Sequence, residues 1–208
     1  MHISEGVLSP PLLIAGAAIT VVGTWIGLRK TRPKEVPLMA VLTSAFFVAS
    51  LIHVPIGPSS VHLVLNGLIG LLLGFGAFPS ILIALLLQAL FFQFGGILVL
   101  GVNCANMALP AIFVYILFKK YCESEKRIHR LVSGFLSGSL SIFLSTLLVA
   151  ICLYLTGENF TAAAKTIVYA HLPVMIIEGL ITAACIDFIY RVKPEMLKID
   201  EIGAKNEI

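Results

Sequence analysis

Charge is what this sequence has least of: only 12% of its 208 residues are charged, whereas 59% are hydrophobic. Soluble domains carry about 25% charged residues, because polar side chains must cover much of their surface. From Val36 to Phe118 there is no Asp, Glu, Lys or Arg at all. This composition excludes a soluble enzyme, a disordered chain and a nucleic-acid-binding protein. The net charge of +3 does not indicate a basic surface that binds phosphate groups.

Several motifs that carry chemistry elsewhere are also missing. The sequence contains no GxxxxGK[ST] phosphate loop, so any ATP that drives its activity must be hydrolysed by another subunit. It has no CxxC pair, and we interpret its four cysteines, at positions 104, 122, 152 and 185, as small apolar residues. No Lys or Arg precedes the first apolar run, so we expect no secretory signal peptide and a chain that begins at residue 1 or 2.

What is present are long apolar runs. A membrane-spanning helix needs about 20 apolar residues, and its backbone must be paired within the segment, which favours helices over strands. No run shows the strict alternation of a membrane β-barrel. The sequence therefore predicts an all-α, polytopic membrane protein with about seven transmembrane helices, at 9–28, 37–54, 61–76, 79–94, 104–118, 131–155 and 169–190.

The basic residues predict an orientation. Thirteen of the 14 Lys and Arg residues fall in three clusters, within 29–34, 119–130 and 191–205, and only Lys165 lies elsewhere. Because cytoplasmic loops carry the positive excess, we expect the N-terminus outside and the C-terminus in the cytoplasm. Residues 1–193 then form a single membrane domain and 194–208 a polar cytoplasmic tail. The outer connections lie at 1–9, 55–60, 94–101 and 156–165.

Four of the five histidines fall on the predicted outer side: His2, His53, His62 and His171. Ionisable groups at membrane depth are costly, so each invites a functional hypothesis. Imidazole nitrogen suits nickel, copper, zinc and iron, which predicts a metal site.

His2 is the most informative of these residues. The Met1 amine and a deprotonated His2 amide can close a five-membered chelate ring on a metal ion. The same amide and the His2 Nδ1 atom can close a six-membered ring. One corner of a square plane is left for another imidazole, and square-planar nitrogen sites suit Ni(II) or Cu(II).

Several segments together resemble one family. They are MHISEG at the start, RPKEVPLMAVLTSAFFVAS, GPSSVH, QALFFQFGG, GVNCANMA and AHLPVMIIEGLITA. In this order they resemble the substrate-binding membrane component, of NikM/CbiM type, of nickel/cobalt energy-coupling-factor ABC transporters. The resemblance implies seven helices with the N-terminus outside, and a metal held by the Met1 amine, the His2 amide and imidazole, and His62.

The resemblance also implies partners and a location. It implies a transmembrane coupling subunit, two cytosolic ATPase subunits and often a small accessory membrane protein, in the cell membrane of a prokaryote. Ni²⁺ or Co²⁺ is then the transported substrate, and the ligands do not distinguish the two. Small-residue pairs such as Gly134-x-x-x-Gly138 favour close helix contacts, which we interpret as packing within the chain.

Other residues are candidates for supporting the ligands. The sequence departs from the family at Phe94, where an Asp is common, and at His53, where Asn is commoner. We favour His62 as fourth ligand and keep His53 as a supporting residue or an alternative ligand. Supporting roles are also predicted for four further residues, namely Glu5, Asn103, Asn106 and His171. Glu178 is expected to hydrogen-bond buried backbone or to have no role at the metal.

Two other functional classes stay open on the sequence alone. A metal-dependent membrane enzyme would need a motif such as HExxH, which is missing. A haem-binding or electron-transfer subunit would place pairs of histidines on facing helices at one depth. The leading hypothesis is high-affinity capture of Ni²⁺ or Co²⁺ from the extracytoplasmic side for an ATP-driven importer.

Overall fold

The computed structural model describes residues 2–51, 53–56 and 59–197. Within them the chain forms seven α-helices and one two-stranded antiparallel hairpin. The helices are α1 (Pro10–Lys30), α2 (Val36–Ala49), α3 (Asn66–Leu73), α4 (Ala77–Phe92), α5 (Leu100–Cys122), α6 (Arg127–Thr156) and α7 (Thr161–Val192). The strands are β1 (His53–Ile56) and β2 (Ser59–His62). This mostly helical architecture agrees with the predicted all-α membrane protein.

Five helical stretches are long and apolar enough to cross a membrane. They are α1, the consecutive α3 and α4, α5, α6 and α7. Helix α2 has 14 residues and α3 has 8, which at about 1.5 Å per residue is less than the roughly 30 Å hydrocarbon core. The number of spans and their orientation therefore remain predictions.

The predicted spans at 37–54 and 61–76 are wrong in their boundaries. Helix α2 ends at Ala49, and the chain then forms the hairpin, in which His53 is paired with His62. Pro55 explains the change, because it has no backbone N–H and restricts the residue before it to extended backbone. Regular helix resumes only at Asn66.

The start of the last helix is also earlier than predicted. Helix α7 begins at Thr161, so the predicted outer connection 156–165 is helical from that residue on. Three consecutive alanines, strong helix formers, follow Thr161 and outweigh the polar character of this segment. Of the predicted tail 194–208, residues 198–208 lie outside the described residues.

Close packing between helices depends on small residues. A Cβ atom added to Gly134 would lie 2.8 Å from the Ala183 Cα atom, and one added to Gly138 would lie 2.7 Å from the Thr182 hydroxyl. Both contacts join α6 to α7, the most extensive helix pair of the bundle. The interpretation of this small-residue motif as packing within the chain is confirmed.

The two ends of the bundle differ in chemistry. At one end, called the basic end here, Lys119 donates a hydrogen bond to the Leu71 carbonyl and Arg130 binds Asp187 at 2.8 Å. Lys30 lies there too, 3.7 Å from the centroid of the Phe75 ring. The N-terminal segment, the hairpin and the connection from α4 to α5 meet at the other end, called the histidine end.

Candidate metal centre

His2 and His62 come together at the histidine end. Their ring centroids are 4.6 Å apart and their planes differ by 18°. Only 4% of His2 and 3% of His62 is exposed. Two imidazoles separated by 60 positions in the chain are thus stacked in a buried place, which is an arrangement that needs a chemical reason.

The hairpin delivers His62, the last residue of β2, to this place. Its Nδ1 atom lies 2.7 Å from the Leu63 carbonyl oxygen. A carbonyl only accepts hydrogen bonds, so Nδ1 carries the proton and Nε2 keeps its lone pair. A ligating histidine commonly donates its other ring N–H in this way.

The surroundings also keep His62 neutral. Burial is the main reason that the pKa of His62 lies well below its ordinary value of 6.5, and nearby His2 and His171 lower this pKa further. A neutral imidazole is the form that binds a metal ion. At neutral pH no proton therefore has to leave His62 before it can act as a ligand.

Asn103 of α5 holds the segment that carries His2. Its side-chain oxygen accepts the Ile3 backbone N–H at 2.9 Å, and its side-chain nitrogen donates to the Ile3 carbonyl at 3.1 Å. Ile3 itself is fully buried, in an apolar cluster with Val99 and Val102. Asn103 therefore holds both backbone polar groups of Ile3, the residue after His2.

Glu5 makes a second attachment. Its backbone N–H donates to the Gly95 carbonyl at 3.1 Å, and its side-chain oxygen accepts the Leu98 N–H at 2.9 Å. Gly95 has a φ of +75°, which favours glycine, and a Cβ there would lie 2.9 Å from the Asn103 side chain. The connection from α4 to α5 therefore wraps closely around the N-terminal segment.

Phe94 makes a contact with His2 that the sequence does not predict. Its ring lies 6.1 Å from that of His2, with the planes 26° apart. The sequence marks this position only as a departure from the family, where an acidic residue is common. In this chain an aromatic ring takes that place and lies beside the His2 imidazole.

His171 of α7 is close enough to affect the pKa of His62. It is fully buried, and its Nδ1 atom lies 2.8 Å from the Ile167 carbonyl. Nδ1 therefore donates, and the Nε2 lone pair has no hydrogen-bond partner among the described residues. This lone pair is a candidate for binding a metal ion or a ligand of one.

Two other residues, Asn106 and Glu178, make contacts away from the two stacked imidazoles. The Asn106 side chain contacts the Cys152 sulfur at 3.8 Å and not the N-terminal segment. Glu178 accepts hydrogen bonds from the backbone N–H groups of Val64 and Leu65, the latter at 2.9 Å. The expectation that Glu178 binds buried backbone is therefore confirmed. These bonds tie the residues just after His62 to the middle of α7.

Two candidate ligands lie wholly or partly outside the described residues. Met1 lies outside the described residues, as does the side chain of His53, although the His53 backbone pairs with that of His62. Among the described residues, no group of three or more His, Cys, Asp or Glu side chains forms a cluster fit for a metal ion. A metal bound between His2 and His62 would therefore need further ligands beyond these described side chains, such as backbone groups.

Comparison with known proteins gives a consistent result. Residues 2–196 match the family described as "Cobalt uptake substrate-specific transmembrane region", CbiM. A Haemophilus influenzae protein provisionally named a metal transport protein is 41% identical, over 97% of this chain and 98% of its own. The cobalt transport protein CbiM of Sorangium cellulosum is 30% identical, over 95% of this chain and 94% of its own.

A solved structure shares the fold. The crystal structure of a truncated transition metal transporter has 27% sequence identity to this chain and a TM-score of 0.71. The match covers 92% of this chain and 99% of that protein.

The fused nickel transport protein NikMN of Rhodobacter capsulatus is 30% identical, over 95% of this chain and 64% of its own length.

Proposed function

Since the chain belongs to the CbiM family of substrate-specific transmembrane components for cobalt uptake, we propose that it captures Ni²⁺ or Co²⁺ from the extracytoplasmic side. Its family and its relatives are metal-transport components and not enzymes. The chain is likewise a component of nickel or cobalt uptake and not an enzyme. The haem alternative also loses support. Within the described helices the histidines are His129 and His171, near opposite ends of the bundle, so they form no facing pair.

The contact between His2 and His62 carries the proposal. Both rings are buried and lie next to each other, and a rotation that points one nitrogen of each ring at a shared ion would make both imidazoles ligands. The His62 Nε2 atom already has its lone pair free of the proton, because Nδ1 donates to Leu63. Neutral imidazoles in a site with few oxygen donors favour late first-row metals over Mg²⁺ or Ca²⁺.

The Met1 amine and the His2 amide complete the proposed ligand set. Together with His2 Nδ1 they give three nitrogens in one plane, and His62 Nε2 gives the fourth. This explains why the described side chains alone contain no three-residue metal cluster. Nickel is favoured over cobalt by the general affinity order of divalent metals.

The bundle supports the proposed orientation. Apart from Lys165, the Lys and Arg residues of the described chain gather at the basic end, through Lys30 and Lys119 and the arginines around Asp187. Cytoplasmic segments carry such an excess, so the histidine end faces the outside of the cell membrane of a prokaryote. We propose that a transmembrane coupling subunit, two cytosolic ATPases and often a small accessory membrane protein complete the importer.

Metal titration and X-ray absorption of the purified full chain test this function. We expect one tightly bound Ni²⁺ per chain, in a square-planar shell of four nitrogens without water. Zn²⁺ and Mg²⁺ serve as comparison ions, and an optical spectrum checks for haem. An octahedral, oxygen-rich shell around nickel would contradict the proposed ligands, and the absence of Ni²⁺ and Co²⁺ binding would contradict the function.

A further inference from the structure

A polar cavity and an apolar groove meet at the basic end of the bundle. The cavity has a volume of about 350 Å³ and is lined in part by Lys30, Arg32, Glu35 and Tyr115. The groove has a volume of about 460 Å³. Phe75 lines both of them, so the two spaces are neighbours that share one side chain.

Among the described residues, one positive charge in the cavity is uncompensated. Arg32 is paired with Glu35 at 2.6 Å. The Lys30 ammonium lies over the Phe75 ring at 3.7 Å and has no carboxylate partner among the described residues. A ligand with a single negative charge therefore complements this cavity.

The groove is apolar along its whole length. It runs between α1 and α5, and the residues that line it include Val22, Ile26, Leu109 and Ile112. Lys30 lies at the C-terminal end of α1, and the groove follows the same helix from Ile26 back to Ala18. At about 1.5 Å per residue, the groove and cavity together extend over roughly 18 Å along α1.

The level of the cavity fits the surface of a bilayer. Trp25, the only tryptophan of the chain, is 52% exposed on α1 and has the Arg29 guanidinium 4.0 Å from its ring centroid. Tryptophan and basic side chains gather where hydrocarbon meets headgroups. The charged cavity thus lies at headgroup level, and the groove lies at the level of the acyl chains.

We propose that the cavity and groove together bind one anionic phospholipid. Its phosphate group lies in the cavity beside Lys30, and one acyl chain lies in the groove along α1. Basic pockets between transmembrane helices bind anionic headgroups in this manner. The proposal does not depend on metal capture, because neither space contains any residue of the candidate metal centre.

The test measures lipid retention by the purified full chain. Delipidated protein is titrated with phosphatidylglycerol in detergent micelles, and binding is followed by native mass spectrometry and by the shift in melting temperature. Phosphatidylcholine tests whether binding depends on the net charge of the lipid. Inorganic phosphate tests whether a free anion is sufficient to bind in the cavity and stabilise the protein. We expect binding of phosphatidylglycerol and no comparable effect of the other two probes.

Matched variants separate this site from general surface effects. Lys30→Glu removes the cavity charge, and we expect it to weaken phosphatidylglycerol binding by roughly 5- to 30-fold, since one basic residue near a membrane contributes about a factor of five. Arg29→Glu changes the net charge equally but lies outside the cavity, and should have little effect. Val22→Trp fills the groove, whereas Val21→Trp alters an exposed neighbour that does not line it.

Several results would overturn the proposal. They are equal loss in Lys30→Glu and Arg29→Glu, equal binding of phosphatidylcholine, or stabilisation by inorganic phosphate alone. If Val22→Trp keeps the lipid and instead loses its transporter partners, the groove docks a protein helix. Lys30→Gln provides a milder change if the glutamate variant does not fold, and loss of nickel binding in any variant would leave the lipid result valid.

Discussion

Asn103 holds both backbone groups of Ile3, accepting its N–H at 2.9 Å and donating to its carbonyl at 3.1 Å. This paired contact joins α5 to the residue directly after His2. A side-chain amide carries a donor and an acceptor on two neutral atoms, so it can bind both backbone groups of one residue at once. The contact therefore limits the positions that His2 can take.

Replacing Asn103 with Ala should weaken nickel binding by about 10- to 100-fold, the usual effect of removing a group that orients a metal ligand. Asn106→Ala is the matched control, because Asn106 lies one turn further along α5 and contacts Cys152 instead. Calorimetric titration of nickel into both variants measures the difference. Equal affinities in the two variants would show that Asn103 does not position the chelate.

The fourth ligand can be tested at the hairpin. We expect His62→Ala to weaken nickel binding by far more than 100-fold, because a nitrogen ligand is lost. We expect His53→Ala to stay within the 10- to 100-fold range of a supporting residue. Titration at one fixed pH compares them. If His53→Ala abolishes binding and His62→Ala does not, His62 is not the ligand, although the Met1–His2 chelate can still stand.

One residue added before Met1 should abolish nickel binding. The addition converts the Met1 amine into an amide and moves the new amine out of the ligand plane. A cleavable extension provides the control, since its removal restores Met1 and should restore binding. The melting temperature of the metal-free protein, unchanged by the extension, shows that the chain still folds. Tight nickel binding by the extended chain would refute the chelate.

Nickel binding should release about two protons at pH 7 and approach one near pH 9. One comes from the His2 amide at either pH, and the other from the α-amine, whose ordinary pKa is about 7.7–8.0. His62 contributes none, because burial holds its pKa well below 6.5. Binding enthalpies in buffers of different ionisation enthalpy give the number, and release of no proton would exclude the amide ligand.

The same pKa sets a direction for the stability of the metal-free protein. The folded protein keeps His62 neutral, whereas the unfolded chain takes up a proton there below about pH 6.5. The contribution of His62 to the free energy of unfolding is therefore complete above this pH and declines as the pH falls below it. His62→Ala should remove this part of the acid sensitivity.

Some features of this protein could be predicted from the sequence alone. The charge-free runs indicate the helices, and the helix ends near Phe92 and Thr156 lie within two residues of the predicted ones. The Met-His start singles out His2 on chemical grounds alone. These features depend on local composition or on covalent geometry, which a single sequence contains.

Features that depend on tertiary contacts could not be predicted from the sequence. The hydropathy of residues 53–65 resembles that of a spanning helix, yet Pro55 and the pairing of β1 with β2 produce a hairpin. The contact of Phe94 with His2 joins residues 92 positions apart, and no local pattern signals it. Asn103 and Asn106 looked equivalent in the sequence, and only the packing of α5 distinguishes them.

The bonds from Glu178 to Val64 and Leu65 have a consequence for biosynthesis. Both histidines of the site are synthesised early, but the carboxylate that fixes the backbone after His62 belongs to the last helix. Because chains fold progressively from the N-terminus during synthesis, the ribosome must complete α7 before this support exists. A nascent chain therefore carries the imidazoles long before it can position them, and the proposed metal site gains this support only after α7 has been synthesised.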